Sequence, residues 1–600
     1  MKKIVFVILL LVNTQIKAQS FQIRGVLPWH NFLSGPSAWN EDDYMKYLDD
    51  CQKNGINFIA FHNYTGGGER YLNYVEPMIK IQYKNVLPEA GFDHSGMARW
   101  GYLPMKIKDF PFGLEKHFLS TRGVGYFGAD CAVTAKTNEE RYEKAQSLMQ
   151  KVLALAHERK MQMAMGFEFG VAPPEYASIR TNSDMYWKGD GSLVYNPFDP
   201  DATGILYATI DNIIETYKGI DWIYLWLNEH CMFGVNPEIA LKNKYMQQFY
   251  TENEKFYDSD EVTESLKFLG VWSQAYIQKA YNYIRLKAPG IKIAIGGWGS
   301  ESQMALLLRG LDKALPQDIT FSMLNPDQGK FGHPSFFSEI AQNRDVWAIP
   351  WLESDASLWH LQPRVDDLRS QVKKASADKL NGVIGIHWRT EEIRENFETF
   401  MFFAQNPDST NSTNDIYRDY CAVNFGNFAA QHLSPVLAKY DINGILKQIA
   451  SEEYYAYTPA WGKLSQVQMN ACNEIIQAID LCTENKPNEE QLQNLKWLKA
   501  NYQFALLFDN VSRGLEPVWN LRDRYLIAME PSVISVNEIT NAKESLKNIP
   551  IKQMMEVFAS KMRSRGELGE LSSIIQRVWG EYQLLDKFLK TQSLNSDITK

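Results

Sequence analysis

The chain has 600 residues, of which 62 are basic and 71 are acidic, so its formal net charge is −9. Apolar residues make up 45% and charged residues 22%, which is the composition of an ordinary globular protein. These values exclude a disordered, collagen-like or coiled-coil chain, and the acidic balance argues against a nucleic-acid partner. At roughly 100–200 residues per domain, the length predicts three or four domains, or one large barrel with an added domain.

The first residues are typical of an export signal. A short basic head precedes an unbroken apolar run, residues 4–12, that is too short to span a bilayer. Ala18 is a small residue at a suitable cleavage point, so residues 1–18 are predicted to be a secretory signal peptide. No later segment of the sequence has the length and apolarity of a membrane helix. We therefore expect an exported soluble protein, periplasmic or extracellular, with no membrane span.

The cysteine pattern does not suggest a disulfide framework. Six cysteines are few for this length, and no CxxC pair occurs among them. Cys472 and Cys482 lie on one predicted helix, about 15 Å apart along its axis, which is too far for a bridge. Export permits disulfides, but buried free thiols are the expectation here.

Apolar, strand-like segments recur eight times in the first 400 residues. They alternate with amphipathic helices, which favours parallel pairing of strands that are buried on both faces. The eight predicted strands are residues 21–29, 56–64, 161–169, 221–229, 291–298, 318–324, 346–353 and 382–388. Eight such units predict an α/β fold of the (β/α)₈, or TIM barrel, type. A doubly wound open sheet is the alternative, but no nucleotide-binding loop follows any of the strands.

The segments between and after the strands complete the predicted layout. Asn40 with Asp43, and Thr137 with Glu140, are spaced as helix caps. Residues 65–138, rich in glycine and aromatics, are predicted to be a long insertion with one or two short helices, such as residues 69–80. The barrel is expected to span residues 19–404. After a polar stretch, residues 415–600 lack strand runs and are predicted to form a mainly helical C-terminal domain.

Barrel enzymes carry their active sites at the C-terminal ends of the strands. Indole faces there can stack on sugar C–H surfaces, and amide or imidazole groups can bind sugar hydroxyls. The candidate substrate-binding residues at these ends are Trp29, His30, His62, Asn63, Glu168, Asn228, Trp298, Asn325, Trp351, Asp355, Trp388 and Arg389.

Glu229 and Glu353 are the candidate catalytic pair. They end predicted strands four and seven, whose ends face each other across a barrel mouth. Cleavage of a glycosidic bond needs two carboxyl groups, one to protonate the leaving oxygen and one to attack the anomeric carbon or activate water. The pair therefore indicates a carbohydrate substrate and glycosidic bond hydrolysis.

The segments WLNE (residues 226–229) and PWLES (residues 350–354) resemble the clan A glycoside hydrolases. Those families carry an Asn-Glu acid/base at the end of strand four and a Glu nucleophile at the end of strand seven. The resemblance implies Glu229 as acid/base, Asn228 as a contact of the sugar 2-hydroxyl, and Glu353 as nucleophile of a retaining mechanism.

The whole layout also resembles the α-glucuronidase and α-N-acetylglucosaminidase families, which combine an exported barrel with a helical C-terminal domain. The β-domain that usually precedes the barrel in those families is not expected here, because the first predicted strand follows the predicted signal peptide directly. An inverting α-glucuronidase-like mechanism would keep Glu229 as the acid and use Glu353, Asp355 or Asp327 to activate water. The alternative function that is not enzymatic is a glycan-binding barrel without catalysis.

Other candidates have two interpretations each. Glu168 is either a third carboxyl group of the site or a partner of Arg24 inside the barrel. Arg389 either binds a uronate or sulfate or pairs with Glu391 or Glu229. No HxH, HExxH or Cys–His spacing occurs, so we expect neither a metal nor a cofactor.

Overall fold

The structure is a computed structural model. It describes residues 21–30, 34–66, 76–91, 106–121, 127–179, 185–187, 193–228, 236–298, 304–447, 449, 457–528 and 534–598. The predicted signal peptide and Glu229 lie outside the described residues.

Eight parallel strands close into a barrel, which confirms the predicted fold class. Each strand pairs with its neighbours in sequence, and the eighth strand closes on the first. The strands are β1 (Ile23–Pro28), β2 (Phe58–Phe61), β3 (Gln162–Phe169), β4 (Trp222–Leu227), β5 (Lys292–Gly296), β6 (Ile319–Leu324), β7 (Val346–Ile349) and β8 (Gly382–His387).

Several strands are shorter than predicted at their C-terminal ends. The seventh was expected to reach Glu353, but β7 ends at Ile349, and Pro350 that follows has no N–H to donate to a ladder. Trp351 still forms an isolated bridge with Ile386 of β8. The chain therefore continues along the barrel wall beyond the regular strand, toward the mouth.

Helices surround the barrel and follow the strands in the predicted alternation. The helix Glu264–Lys287 begins seven residues before its expected start at residue 271, and the helix Pro200–Thr216 was not predicted. The helices are α1 (Glu41–Lys53), α2 (Asn138–Glu158), α3 (Pro200–Thr216), α4 (Glu264–Lys287), α5 (Met304–Ala314), α6 (Phe337–Ile340), α7 (Val365–Ala377) and α8 (Arg394–Gln405).

Both predicted caps have a structural counterpart. Asn40 and Asp43 form a capping box on α1, in which Asp43 Oδ2 accepts the Asn40 N–H at 2.9 Å. On α2, Thr137 Oγ1 accepts the Glu140 N–H at 3.1 Å, but the Glu140 carboxylate accepts from the N–H of Lys136 at 2.7 Å. Only half of the second capping box is therefore present.

Short elements join these helices and strands. A three-stranded antiparallel sheet follows β3, with strands Val171–Ala172, Met185–Trp187 and Leu193–Tyr195. The short helices are Gly35–Ser37, Ile107–Asp109, Pro111–Thr121, Asp130–Val133, Pro174–Ile179, Pro237–Ala240, Lys244–Asn253, Glu254–Tyr257, Asp327–Gly329 and Asp355–Ser357. Residues 76–80 form a turn, whereas a helix was predicted there; residues 69–75 lie outside the described part of the chain.

Side chains alternate between two hydrophobic layers along each strand. One set fills the barrel interior, where large rings such as Trp222, Trp226 and Trp347 face small residues. A Cβ on Gly296 would lie 2.6 Å from the Trp226 ring, so the ring requires glycine at that position. The other set packs against the helices and forms the largest core.

The C-terminal part of the chain is helical, as expected. The 40-residue helix α13, which contains Pro517, runs through its centre. The helices are α9 (Thr413–Phe425), α10 (Asn427–His432), α11 (Ser434–Ile442), α12 (Gln466–Glu484), α13 (Glu489–Ala528), α14 (Val536–Lys547), α15 (Ile551–Ser560), α16 (Arg565–Ile574) and α17 (Gly580–Ile598), with a π-helical turn at Ile575–Trp579.

The helical region shares a core with the barrel and its insertion. Phe110 and Phe118 of the insertion and Trp359 of the barrel pack in one cluster with Phe504 and Phe558. The five cysteines in the described part of the chain are buried and free. Among the described helices, none combines the length and apolarity needed to cross a membrane.

Candidate active site

The alternation of side chains decides which strand-end residues reach the barrel mouth. Leu27 of β1, Ala60 of β2 and Ala164 of β3 face the interior, so residues two or four positions later on the same strands also face inward. The inward positions at the mouth are occupied by Trp29, His62, Glu168, Trp226, Asn228, Trp298, Trp351 and Trp388.

Glu168 is the centre of a buried polar group in the mouth. Its Oε1 lies 3.1 Å from His62 Nε2, and its Oε2 accepts a hydrogen bond from Asn228 Nδ2. Burial raises the pKa of Glu168 to about 8, although the Asn228 hydrogen bond lowers it in part. Burial also holds the pKa of His62 well below its ordinary value. Burial therefore favours the uncharged form of both groups.

Indole rings form a continuous aromatic surface beside this polar group. Trp29 stacks on the His62 ring with centroids 4.1 Å apart and lies 5.7–6.3 Å from three other indoles. Trp351 lies 5.6 Å from Trp388 and 6.3 Å from Trp298. Trp298 is partly exposed, whereas the other rings are buried. The mouth thus presents apolar faces next to polar atoms.

Three polar atoms of the mouth have no hydrogen-bond partner among the described residues. They are His62 Nδ1, Trp226 Nε1 and Trp298 Nε1, all of them buried. If Glu168 donates its proton to His62 Nε2, the ring proton of the neutral imidazole lies on Nδ1. Buried donors without partners are unfavourable, so the mouth has unused hydrogen-bonding capacity for a ligand with acceptor oxygens.

Glu353 is held by three N–H groups and has no exposed side-chain surface. Its Oε1 accepts from the backbone N–H groups of Trp388 at 2.8 Å and Arg389 at 2.6 Å, and its Oε2 accepts from Arg389 Nε at 2.6 Å. The ion pair joins the loop after β7 to the end of β8. Hydrogen bonds from a guanidinium and two backbone amides fix the position of this carboxyl group.

Arg389 is not available to a uronate or sulfate in this structure. Its guanidinium is buried and donates to Glu353, to the Leu358 carbonyl and, at 2.8 Å, to the His360 carbonyl. Its partner is thus Glu353 rather than Glu391, while Glu229 lies outside the described residues. The alternative partner of Glu168 is also wrong, because Arg24 donates to the carbonyls of Gly55 and Phe21, at the opposite end of the strands.

Three predicted contacts lie at outward-facing positions instead of in the mouth. His30 pairs with Tyr44 of α1 at 3.1 Å, and burial lowers its pKa to about 3. Asn63 donates to the Gly166 carbonyl at 2.8 Å. Asn325 donates to Gln371 of α7 at 2.8 Å. The structure does not bring these side chains together with Glu168, because each follows an inward-facing position by one residue.

Of the predicted catalytic pair Glu229 and Glu353, the structure describes Glu353. Glu229 lies outside the described residues, while its neighbour Asn228 contacts Glu168 in the mouth. Asp355 begins a short helix after β7 and is half-buried. No sequence motif indicated that Glu570 of the helical region lies near Arg389, or that Lys561 and Glu567 lie near Glu392.

Comparisons with known proteins bear on the fold. No family model matches the sequence, and no curated protein matches it. Among solved structures, the chain is similar to a family 89 glycoside hydrolase from Clostridium perfringens in complex with PUGNAc. The identity is 12% and the TM-score 0.53, over 95% of this chain and 64% of that one. This likeness supports a barrel followed by a helical region.

Two further structures resemble the chain more weakly. One is a family GH115 4-O-methyl-α-glucuronidase with specificity for decorated arabinogalactans, at 10% identity and TM-score 0.47, over 92% of this chain and 62% of that one. The other is a GH138 enzyme targeting pectin rhamnogalacturonan II, at 10% identity and TM-score 0.44, over 97% and 70%. The chain spans less than two thirds of the GH89 and GH115 chains. Such likenesses concern the fold alone, because one fold can carry many different functions.

Proposed function

We propose that the protein is an exported glycoside hydrolase that cleaves a glycosidic bond of a poly- or oligosaccharide at the C-terminal mouth of its barrel. The observation that carries this proposal is the buried Glu168 carboxyl group, which contacts His62 and Asn228 beside a surface of indole rings. A buried polar group next to aromatic platforms suits the binding of a sugar beside the proposed catalytic residues Glu229 and Glu353.

The ligand chemistry of the mouth matches a sugar. The apolar ring faces suit the C–H surfaces of a pyranose. The unpartnered atoms His62 Nδ1, Trp226 Nε1 and Trp298 Nε1 suit its hydroxyl oxygens. Trp298 is partly exposed and is therefore the ring that an incoming sugar contacts first.

In the retaining mechanism that we propose, Glu229 protonates the leaving oxygen and then activates water. Glu353, which three N–H donors hold in position, attacks the anomeric carbon. Among the described residues, Arg389 Nε alone donates a hydrogen bond to its Oε2, which leaves a lone pair for the attack. Because Glu353 has no exposed surface, this step requires that side chains covering it move when the sugar binds.

The burial of Glu353 also favours a second candidate, an inverting hydrolase. There Glu353 is a fixed charge, and a carboxylate such as the half-buried Asp355 activates water. The two mechanisms differ in the separation of the catalytic carboxyl groups, about 5–5.5 Å for retention and about 6.5–9.5 Å for inversion. They also differ in the anomer of the first product.

The test is hydrolysis of a glycan panel by the purified protein, with the product anomer followed by NMR. Loss of turnover by at least about a hundredfold in Glu229→Gln and Glu353→Gln, with glycan binding kept, supports the retaining assignment. Glu339→Gln is the matched control, because this carboxylate is 68% exposed on the surface and must not affect turnover. Inversion with an active Glu353→Gln variant supports the second candidate. Binding without any turnover would overturn the enzyme and indicate a glycan-binding barrel.

A further inference from the structure

A cluster of buried charges joins the helical region to the end of β8. We call the side chains of Arg389, Glu392, Lys561, Glu567 and Glu570 the interdomain charge cluster. Each of them is at most 2% exposed, so the cluster is shielded from solvent. Buried charges are unfavourable unless they are paired. The loss of one pair inside the cluster is therefore expected to move the remaining side chains.

The pairing crosses between the two parts of the protein. Lys561 Nζ, after α15, lies 3.3 Å from Glu392 Oε1, in the loop after β8, and both side chains have no exposed surface. The Glu567 carboxyl group is near enough to Glu392 for the two carboxyl groups to repel each other when both are charged. Glu567 also accepts from the backbone N–H of Ser564 at 2.6 Å, as the capping-box residue of α16.

Arg389 connects this cluster to the mouth. Its guanidinium interacts electrostatically with three carboxyl groups, those of Glu353, Glu392 and Glu570. Neither oxygen of Glu570 has a hydrogen-bond partner among the described residues. Burial raises the pKa values of Glu567 and Glu570 well above their ordinary range, and repulsion from Glu392 raises them further.

Backbone packing at the same place leaves no room for independent movement. A Cβ on Gly566 of α16 would lie 2.7 Å from the backbone nitrogen of Gly35, in the loop after β1. A Cβ on Gly35 would lie 2.0 Å from the Trp388 carbonyl oxygen. The helix α16, the β1 loop and the end of β8 are thus stacked in direct contact, beside the residues that hold Glu353.

We propose that Lys561 is a positioning residue for the barrel mouth: by neutralising Glu392 it keeps Arg389 committed to Glu353, so that the helical domain is a required part of the site. This inference rests on the proposed function for its catalytic meaning. The effect of Lys561 on the contact between Arg389 and Glu353 does not depend on that function. When Lys561 is removed, Glu392 is left without its cation and competes with Glu353 for Arg389.

The backbone N–H groups of Trp388 and Arg389 report on this coupling without any substrate. Both donate to Glu353 Oε1, so they exchange with solvent hydrogen only when the contact opens. In Lys561→Met, we expect their exchange to accelerate by about tenfold or more, while the amides of β3 stay protected. The double variant Lys561→Met/Glu392→Gln removes both charges and is expected to return to within about threefold of the wild type.

Lys552→Met is the matched control, because Lys552 forms an exposed pair with Glu556 on α15 and must leave the exchange unchanged. Wild-type exchange at Trp388 and Arg389 in Lys561→Met would overturn the proposal. So would a double variant that stays as fast as the single one, which would indicate a packing role for Lys561. If Lys561→Met does not fold, hydrogen exchange at Trp388 and Arg389 is compared between the double variant and the Lys552→Met control. Faster exchange in the double variant would then overturn the proposal.

Activity then separates this inference from the proposed function. Once the panel has identified a glycan that the protein cleaves, Lys561→Met is expected to lower kcat with little change in KM. The double variant is expected to restore kcat. A failed glycan panel with the expected exchange result would refute only the hydrolase. Unchanged exchange in an active hydrolase would refute only the positioning role.

Discussion

Replacing Glu168 by glutamine tests whether the mouth holds a proton that the unfolded chain lacks. The pKa of Glu168 is raised by burial from 4.5 to about 8. Between these two values the folded protein binds one proton more than the unfolded chain. Stability is therefore fully present below about pH 4.5 and is lost as the pH rises toward 8, at a rate of roughly 1 kcal/mol per pH unit from this group.

Glutamine is nearly isosteric, keeps an acceptor for Asn228 and cannot titrate. The assay is urea unfolding of wild type and Glu168→Gln at intervals from pH 5 to 8. We expect the difference in unfolding free energy to change steadily, with the wild type losing stability relative to the variant as the pH rises. Glu339→Gln, an exposed carboxylate, corrects for general charge effects. Parallel pH profiles of wild type and Glu168→Gln would show that Glu168 is ionised in the folded protein, which would refute the reasoning.

Three other variants test the geometry of the mouth and its supports. Arg389→Met leaves the buried Glu353 carboxylate without its cation and should lower the unfolding free energy by about 3–5 kcal/mol in urea titrations, part of which the added change Glu353→Gln restores. Trp298→Ala removes the partly exposed ring and should weaken glycan binding by about 0.5–1.5 kcal/mol in fluorescence titrations; undiminished binding would exclude this ring from the ligand site. Gly566→Ala introduces a Cβ 2.7 Å from backbone and should lower Tm, whereas Gly290→Ala, which meets nothing within 4 Å, should not.

The barrel could be predicted because its strands are buried on both faces. Such strands appear in the sequence as short continuous apolar runs, and amphipathic helices between them show the 3.6-residue period of one buried face. All eight strands were found in this way, although β7 and β4 end earlier than their predicted limits. The small sheet after β3 was missed because its strands have only two or three residues.

The strand ends could also be predicted as the place of the candidate site, since parallel strands bring their C-terminal ends to one edge. His62, Glu168 and Asn228 were selected on this basis, and they do meet in the mouth. A shift of one residue separates these inward positions from outward ones such as His30 and Asn325. Predicted strand limits were too coarse to make that distinction.

The amino-acid sequence by itself therefore determined the (β/α)₈ barrel, the helical region after it and the edge at which polar side chains gather, because local periodicity encodes burial. Only the tertiary structure decided the partners of these side chains. Glu168 meets His62 across 106 residues of chain, and Lys561 meets Glu392 across 169. Such pairings depend on which buried groups share one low-dielectric space, and local sequence patterns do not record that.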